Sequence, residues 1–194
     1  MVQTVRGREA RRAAILRRAA EVFRRKGFHG AGMREIARGL GMAPGALYYY
    51  FKGKEDLLFA CQAMSLRRLI QSATEIASSG LPPQHMLRQI VRAHLRHTLG
   101  DMGGGLAHLE FHALPPEMLE EVVRQRDAYE AIVRQVLKEG MAAGVFAARD
   151  VKLAALTVLG ALNWTVVWWR PEGPYTIEEV SEQVAATLLR GVTR

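Results

Sequence analysis

A chain of 194 residues that is 49% hydrophobic can bury one sizeable core or two small ones without covalent staples. Cys61 is its single cysteine, which excludes an internal disulfide and a cysteine-rich metal cluster. With no uncharged apolar run of about eighteen residues and no leader-type N-terminus, no membrane partner is expected and the chain reads as cytoplasmic. The net charge of +8 is concentrated at one end: residues 1–54 carry 13 Lys and Arg against 3 acids, and residues 55–194 carry 14 against 16. Such segregation points to a polyanionic partner for the N-terminal part, either nucleic acid or an anionic surface.

In chain order, the stretch REARRAAILRRAAEVFRRKG places apolar residues at Ala14, Ile15, Leu16, Ala19, Val22 and Phe23 between arginines and stops at Gly27. That spacing predicts an amphipathic helix. Short helices follow in MREIARGL and from Pro44 to Phe51, with a turn at Gly41, and a long helix runs from Lys54 to Ser79, closed by GLPP. Beyond Pro83, QHMLRQIVRAHLRHTL is helical up to the glycine loop GDMGGG. Next come a short helix in LAHLEFHAL, ended by Pro115 and Pro116, and a long one in EMLEEVVRQRDAYEAIVRQVLKEGMAAG. Two more, Val151 to Arg170 and Ile177 to Leu189, flank PEGPY. About nine helices, with no alternating strand pattern and no repeat, make the expected fold all-α.

Between residues 33 and 51 the apolar residues Met33, Ile36, Ala37, Leu40, Met42, Leu47, Tyr50 and Phe51 fit two short helices crossing at a tight turn, the helix-turn-helix pattern. The run LYYYF raises the question of where four adjacent aromatics go. At about 100° per residue, Leu47, Tyr50 and Phe51 share one side of a helix. Gly45 and Tyr49 lie on the other side, with Ala46 and Tyr48 on the flanks. The first set is expected to pack the head, and the second to face a major groove. Pro44 suits a first helical turn, and Gly45 permits close backbone approach. Tyrosine hydroxyls can bond phosphates while their rings meet thymine methyls. Arg34 and Tyr50 are added to the DNA-facing set, as is Lys54, placed for a phosphate near a helix start.

The segment GMREIARGLGMAPGALYYYFKGKEDLL resembles the DNA-binding signature of the TetR family of bacterial transcription regulators. Ile36, Ala37, the turn at Gly41, Leu47, Tyr48, Tyr49, Tyr50, Phe51, Lys54 and Leu57 carry the match, over roughly residues 8–60. The family usually caps both short helices with Thr or Ser, where this chain has Gly32 and Ala43, and Tyr50 replaces a common histidine. The resemblance implies a three-helix DNA-binding head, residues 1–54, and a helical bundle for ligand binding and dimerisation, residues 55–194. It also implies a homodimer on a pseudo-palindromic operator, released by a small-molecule effector. The run LNWTVVWWRPEGPYT is similar to members that repress fatty-acid, phenylacetate or steroid catabolism, which points to a coenzyme A thioester.

The last two predicted helices are too apolar for a solvated surface; the first is hydrophobic almost all round and includes Trp164 and Trp168, so it must be buried. A four-helix bundle shared by two subunits would bury it, and so would a monomer core. Met64, Ile90, His94, Leu106, Leu109, Glu110 and Tyr129, on inward stripes of the middle helices, are candidate effector contacts, joined by Asn163 in an otherwise apolar helix. His94 and Glu110 stand out because polar groups on inward stripes need partners. Arg88, Arg92 and Arg96 form a stripe that suits phosphates or a solvated face. His108, Glu110 and His112 do not give the metalloprotease spacing, no cofactor motif is present, and an enzyme is not expected. The alternative to ligand control is a DNA-binding protein governed by a partner protein.

Overall fold

The computed structural model describes residues 2–100, 109–147 and 150–193, with side chains from Gly7 onward. Among these residues it contains eight α-helices and no strand. They are α1 (Val2–Gly30), α2 (Met33–Arg38), α3 (Pro44–Tyr48), α4 (Lys54–Ala77), α5 (Pro83–Leu99), α6 (Pro116–Ala142), α7 (Val151–Trp168) and α8 (Ile177–Val192). Two departures from the expected pattern are local. The helix expected in LAHLEFHAL is, among its described residues, a 3-10 turn at Phe111–Ala113. The helix expected from Pro44 to Phe51 ends at Tyr48 and tightens into a turn, where the Tyr50 and Phe51 amides both donate to the Leu47 carbonyl.

The chain divides into two compact units. The first comprises Met1–Ser65 with Asp101–Val122, and the second Leu66–Gly100 with Val123–Arg194. The helices α4 and α6 each contribute residues to both.

In the first unit, the arginine-rich α1 buries Ile15, Leu16, Ala19, Ala20, Val22 and Phe23 as its periodicity requires. Ile36 and Ala37 of α2, Leu47 of α3, Phe51, and Leu57, Leu58 and Cys61 of α4 are buried in the same unit. The Cys61 thiol donates to the Leu16 carbonyl at 3.7 Å, and burial pushes its pKa up to about 12. At neutral pH it is a protonated, inert core group.

In the second unit, α5 packs against α7 and α8. Two helix starts are secured by side chains. The Asp150 carboxylate accepts the Leu153 amide at 2.8 Å to open α7. At the start of α8, Thr176 accepts the Glu179 amide at 3.2 Å while Glu179 accepts the Thr176 amide at 2.8 Å, a reciprocal capping box. The starts of α2 and α3 have no such bond, because Gly32 and Ala43 stand at the cap positions.

Full burial of α7 does not occur within the chain. Ala155, Val158, Leu159, Leu162, Thr165 and Val166 face inward, but Leu153, Leu156, Trp164 and Trp168 are exposed. By length and composition alone α7 would also pass for a membrane span, with mean hydropathy 1.5.

The capping contrast gives a paired stability prediction. Thr176→Ala should lower stability by about 1 kcal/mol, and Ala43→Ser, at a position already in extended backbone, should raise it by a similar amount. Urea denaturation of the two variants beside the parent checks both signs.

Candidate nucleic-acid interface

The turn between α2 and α3 is built on Gly41, at φ +62°, with the Met42 amide donating to the Ala37 carbonyl at 3.0 Å. A side chain there would strain the backbone, and Ala37, fully buried, leaves room for the two short helices to cross. Glu35 of α2 is held from α1 by Lys26 at 2.8 Å and Arg25 at 3.3 Å. The Lys26 hydrogen bond and these positive charges hold its carboxyl below the usual carboxylate range.

Along the aromatic run, exposure follows the helical wheel. Leu47 and Phe51 are buried and Tyr50 is half-buried, whereas Tyr48 is 54% and Tyr49 70% exposed. Pro44, Gly45 and Ala46 are exposed beside them, as is Arg34 on α2. A Cβ built at Gly45 meets nothing within 4 Å, so the fold itself does not demand glycine there.

Two arginines of α1 reach this run. Arg12 places its guanidinium 4.3 Å over the Phe51 ring and donates to the Tyr50 carbonyl at 3.3 Å, and Arg8 lies 5.5 Å over the Tyr49 ring. Lys54, at the start of α4, donates to the His29 carbonyl at 3.4 Å with its ammonium 4.4 Å over the Phe28 ring.

The expected effector contacts that are described fall in both units. His94 and Tyr129 meet in the second unit, buried together with Nδ1 and Oη 3.1 Å apart, and burial drives the phenol pKa upward. Ile90 is buried one turn before His94 on α5, and Asn163 is half-buried on α7. Met64 and Leu109 are half-buried in the first unit. Leu106 and His108 lie outside the described residues.

Glu110 lies in the first unit, where its carboxylate accepts the Phe28 amide at 2.6 Å. The Phe28 amide needs that acceptor because α1 breaks at Gly27, φ +68° and ψ 173°. Of the arginine stripe, Arg88 and Arg92 bind the Glu182 carboxylate of α8 at 3.1 and 2.8 Å, and Arg96 is exposed.

Sequence reading missed several inward polar groups. Thr98, one turn after His94, is buried with its hydroxyl on the His94 carbonyl at 2.9 Å. His97 pairs with Ser72 at 2.9 Å, its pKa lowered by burial and by Arg68 and Arg96. Gln62, Ser65 and Ser181 are also buried. The four-residue spacing of His94 and Thr98 was the available signal. A cavity of about 680 Å³ in the second unit, lined by Arg88, Trp168, Tyr175 and Glu182 among others, involves none of the expected effector residues. Among the described residues no three His, Cys, Asp or Glu side chains are grouped to hold a metal ion.

Comparison with known proteins gives this geometry its family. The profile of bacterial regulatory proteins of the tetR family matches residues 15–61, and that of the tetracyclin repressor-like C-terminal domain matches residues 80–192. The chain belongs to the TetR family. It is a DNA-binding transcriptional regulator.

Among its relatives, the fatty acid metabolism regulator protein of Bacillus subtilis is 26% identical over 181 residues, covering 92% of this chain and 93% of that protein. The repressor KstR2 of Mycobacterium tuberculosis is 26% identical over 204 residues, covering 95% and 94%. Its structure, described as a ketosteroid transcriptional regulator, superposes with a TM-score of 0.85 at 25% identity, covering 95% of each chain. AibR, solved in complex with isovaleryl coenzyme A and operator DNA, shares the fold with a TM-score of 0.80 at 24% identity, covering 94% of this chain and 98% of AibR.

A Cβ at Gly27 would sit 3.0 Å from Glu110 Oε1, in backbone that only glycine adopts cheaply. Gly27→Ala should therefore destabilise the protein by about 1–3 kcal/mol, because φ +68° with ψ 173° is a backbone region open essentially to glycine alone. Glu110→Gln should leave the Phe28 amide bonded while Glu110→Ala exposes it, a difference read as faster hydrogen exchange at Phe28 in the alanine variant.

Proposed function

We propose that the protein is a homodimeric repressor whose paired heads bind a pseudo-palindromic operator and which a small-molecule effector, of the coenzyme A thioester class, releases. Residues 1–54 are assigned to DNA, and residues 55–194 to the effector and the dimer. The observation that carries the reading is the split aromatic run: buried Leu47 and Phe51 anchor a helix whose exposed Tyr48 and Tyr49 stand on the basic end of the chain.

In this reading Tyr48, Tyr49 and the backbone at Pro44, Gly45 and Ala46 enter the major groove, while Arg34, Tyr50 and Lys54 serve phosphates. The missing Cβ at Gly45, which the fold does not require, has its use in close approach to DNA.

The dimer reading is supported by α7. Its exposed Leu153, Leu156, Trp164 and Trp168, spaced three, eight and four residues apart, share one side of the helix, which a second copy would cover as a shared four-helix bundle. A protein with a charged DNA-binding head uses such a helix for assembly in the cytoplasm rather than for spanning a membrane.

Ile90, His94, Tyr129 and Asn163 are assigned to the effector, since the first three are buried and Asn163 is half-buried in the second unit, with three polar side chains among them. The thioester class is supported by the fatty-acid relative and by AibR, whose fold holds isovaleryl coenzyme A and operator DNA. Release requires the effector to bind the DNA-free state more tightly than the DNA-bound state. Because α4 has residues in both units, its displacement is the route we assign to that signal.

A gel shift on the DNA upstream of the coding sequence, titrated with acyl- and aryl-coenzyme A thioesters and the matching free acids, is expected to show a shift that only a thioester reverses. A shift unmoved by every compound would remove the effector class and keep DNA binding. Tyr49→Ala should cost operator affinity at least about tenfold with an unchanged melting temperature. Trp164→Arg should give a monomer by light scattering and lower affinity for the full operator by about 10²-fold or more, as the heads lose their linkage.

A further inference from the structure

The arginines of α1 invite a single role, attraction of phosphates. Two of them are otherwise engaged. Arg8 and Arg12 are four residues apart and so share one face of α1. Arg12 lies 4.3 Å over the buried Phe51 ring and donates to the Tyr50 carbonyl at 3.3 Å. Arg8 lies 5.5 Å over Tyr49, whose ring also meets Tyr50 edge-on at 5.2 Å and 87°.

The tyrosine most exposed on the run, at 70%, thus has its ring contacted by a guanidinium and by a second ring. A solvent-facing tyrosine on a turn just past a five-residue helix would otherwise sample its rotamers freely, and a groove-reading group that does so loses affinity and selectivity.

We infer that Arg8 is a specificity-determining positioning residue, which acts on operator recognition through the Tyr49 ring, with Arg12 bracing the backbone of the same run. This rests on the assignment of Tyr49 to the groove. The guanidinium suits the task because its planar, weakly hydrated face stacks on an aromatic ring while its edges stay available to solvent or to a phosphate. Lysine retains the charge without the planar face, so the two roles separate experimentally.

The test is a double-mutant cycle on a duplex selected from a random pool by the parent protein, with Arg8→Met, Arg8→Lys and Tyr49→Phe or Tyr49→Ala. With Tyr49 in place, or in the Tyr49→Phe background, Arg8→Met is expected to weaken binding about two- to fivefold, the range of an exposed cation–π contact. It should also relax the selected sequence at the position that Tyr49→Ala relaxes, and in the Tyr49→Ala background it should have no further effect on that position.

Arg8→Lys should keep the salt dependence of binding but lose the selectivity. Equal loss from Arg8→Met in the parent and Tyr49→Ala backgrounds, with a smaller salt slope and an unrelaxed sequence, would overturn the inference and make Arg8 a phosphate contact only. No loss in either background would overturn it as well. If Tyr49→Ala itself binds and selects like the parent, the groove assignment fails first, an outcome separate from the other two.

Discussion

Seating Leu47 and Phe51 in the core of the first unit is the constraint on which the exposed tyrosine surface depends. The helix that carries the tyrosines has five residues, too few to be stable alone, and its N-terminal cap position is an alanine with no side chain to offer. It exists because two residues four apart are buried with Ile15, Phe23, Ile36 and Leu57 in the same unit. Every outward residue of the run takes its direction from that anchoring. Arg12 over the Phe51 ring, and its bond to the Tyr50 carbonyl, add a polar restraint at the one place where the chain leaves helical geometry. A head that spends its apolar residues this way can leave two tyrosines in water, since their neighbours hold the backbone.

Much of this was legible in the sequence because the signals are local. The 3.6-residue period of α1, the glycine at a left-handed turn, proline at a first helical position and the wheel of the aromatic run each depend on a few adjacent residues, and each appears where expected. What was not legible has a common physical origin. Glu110 looks like an inward polar residue of a middle helix when only its own segment is considered. Its partner is an amide 82 positions earlier, freed by a break in α1. Similarly, Arg88 and Arg92 read as a solvated or phosphate-binding stripe until α8 brings Glu182 to within 3.1 Å. Long-range pairings of this kind carry no periodicity.

The apolar helix α7 shows the opposite case, in which sequence and structure leave the same remainder. Its composition demands burial on nearly all sides, and the chain covers one side only. The uncovered residues are large, and two are tryptophans, which form strong anchors at protein interfaces. A monomer would expose them at a cost that a second copy removes. The opposite, buried face of α7 packs on α5, whose interior side carries His94 and Thr98, so the exposed apolar face and the inward polar groups lie on neighbouring layers of one unit.

That layering places a hydrogen-bonded polar pair inside the second unit. A ligand that touched only apolar core would meet close-packed side chains with a single arrangement. The pair His94–Tyr129 is different: its two buried groups are joined by a hydrogen bond, which a polar ligand would have to replace as well as break. The clasp of Glu110 on Phe28 is a polar contact of the first unit, which takes up the amide that the backbone break at Gly27 frees. The chain joins these two polar points through α6, which begins six residues after Glu110 and carries Tyr129. The helix α6, like α4, therefore has residues in both units.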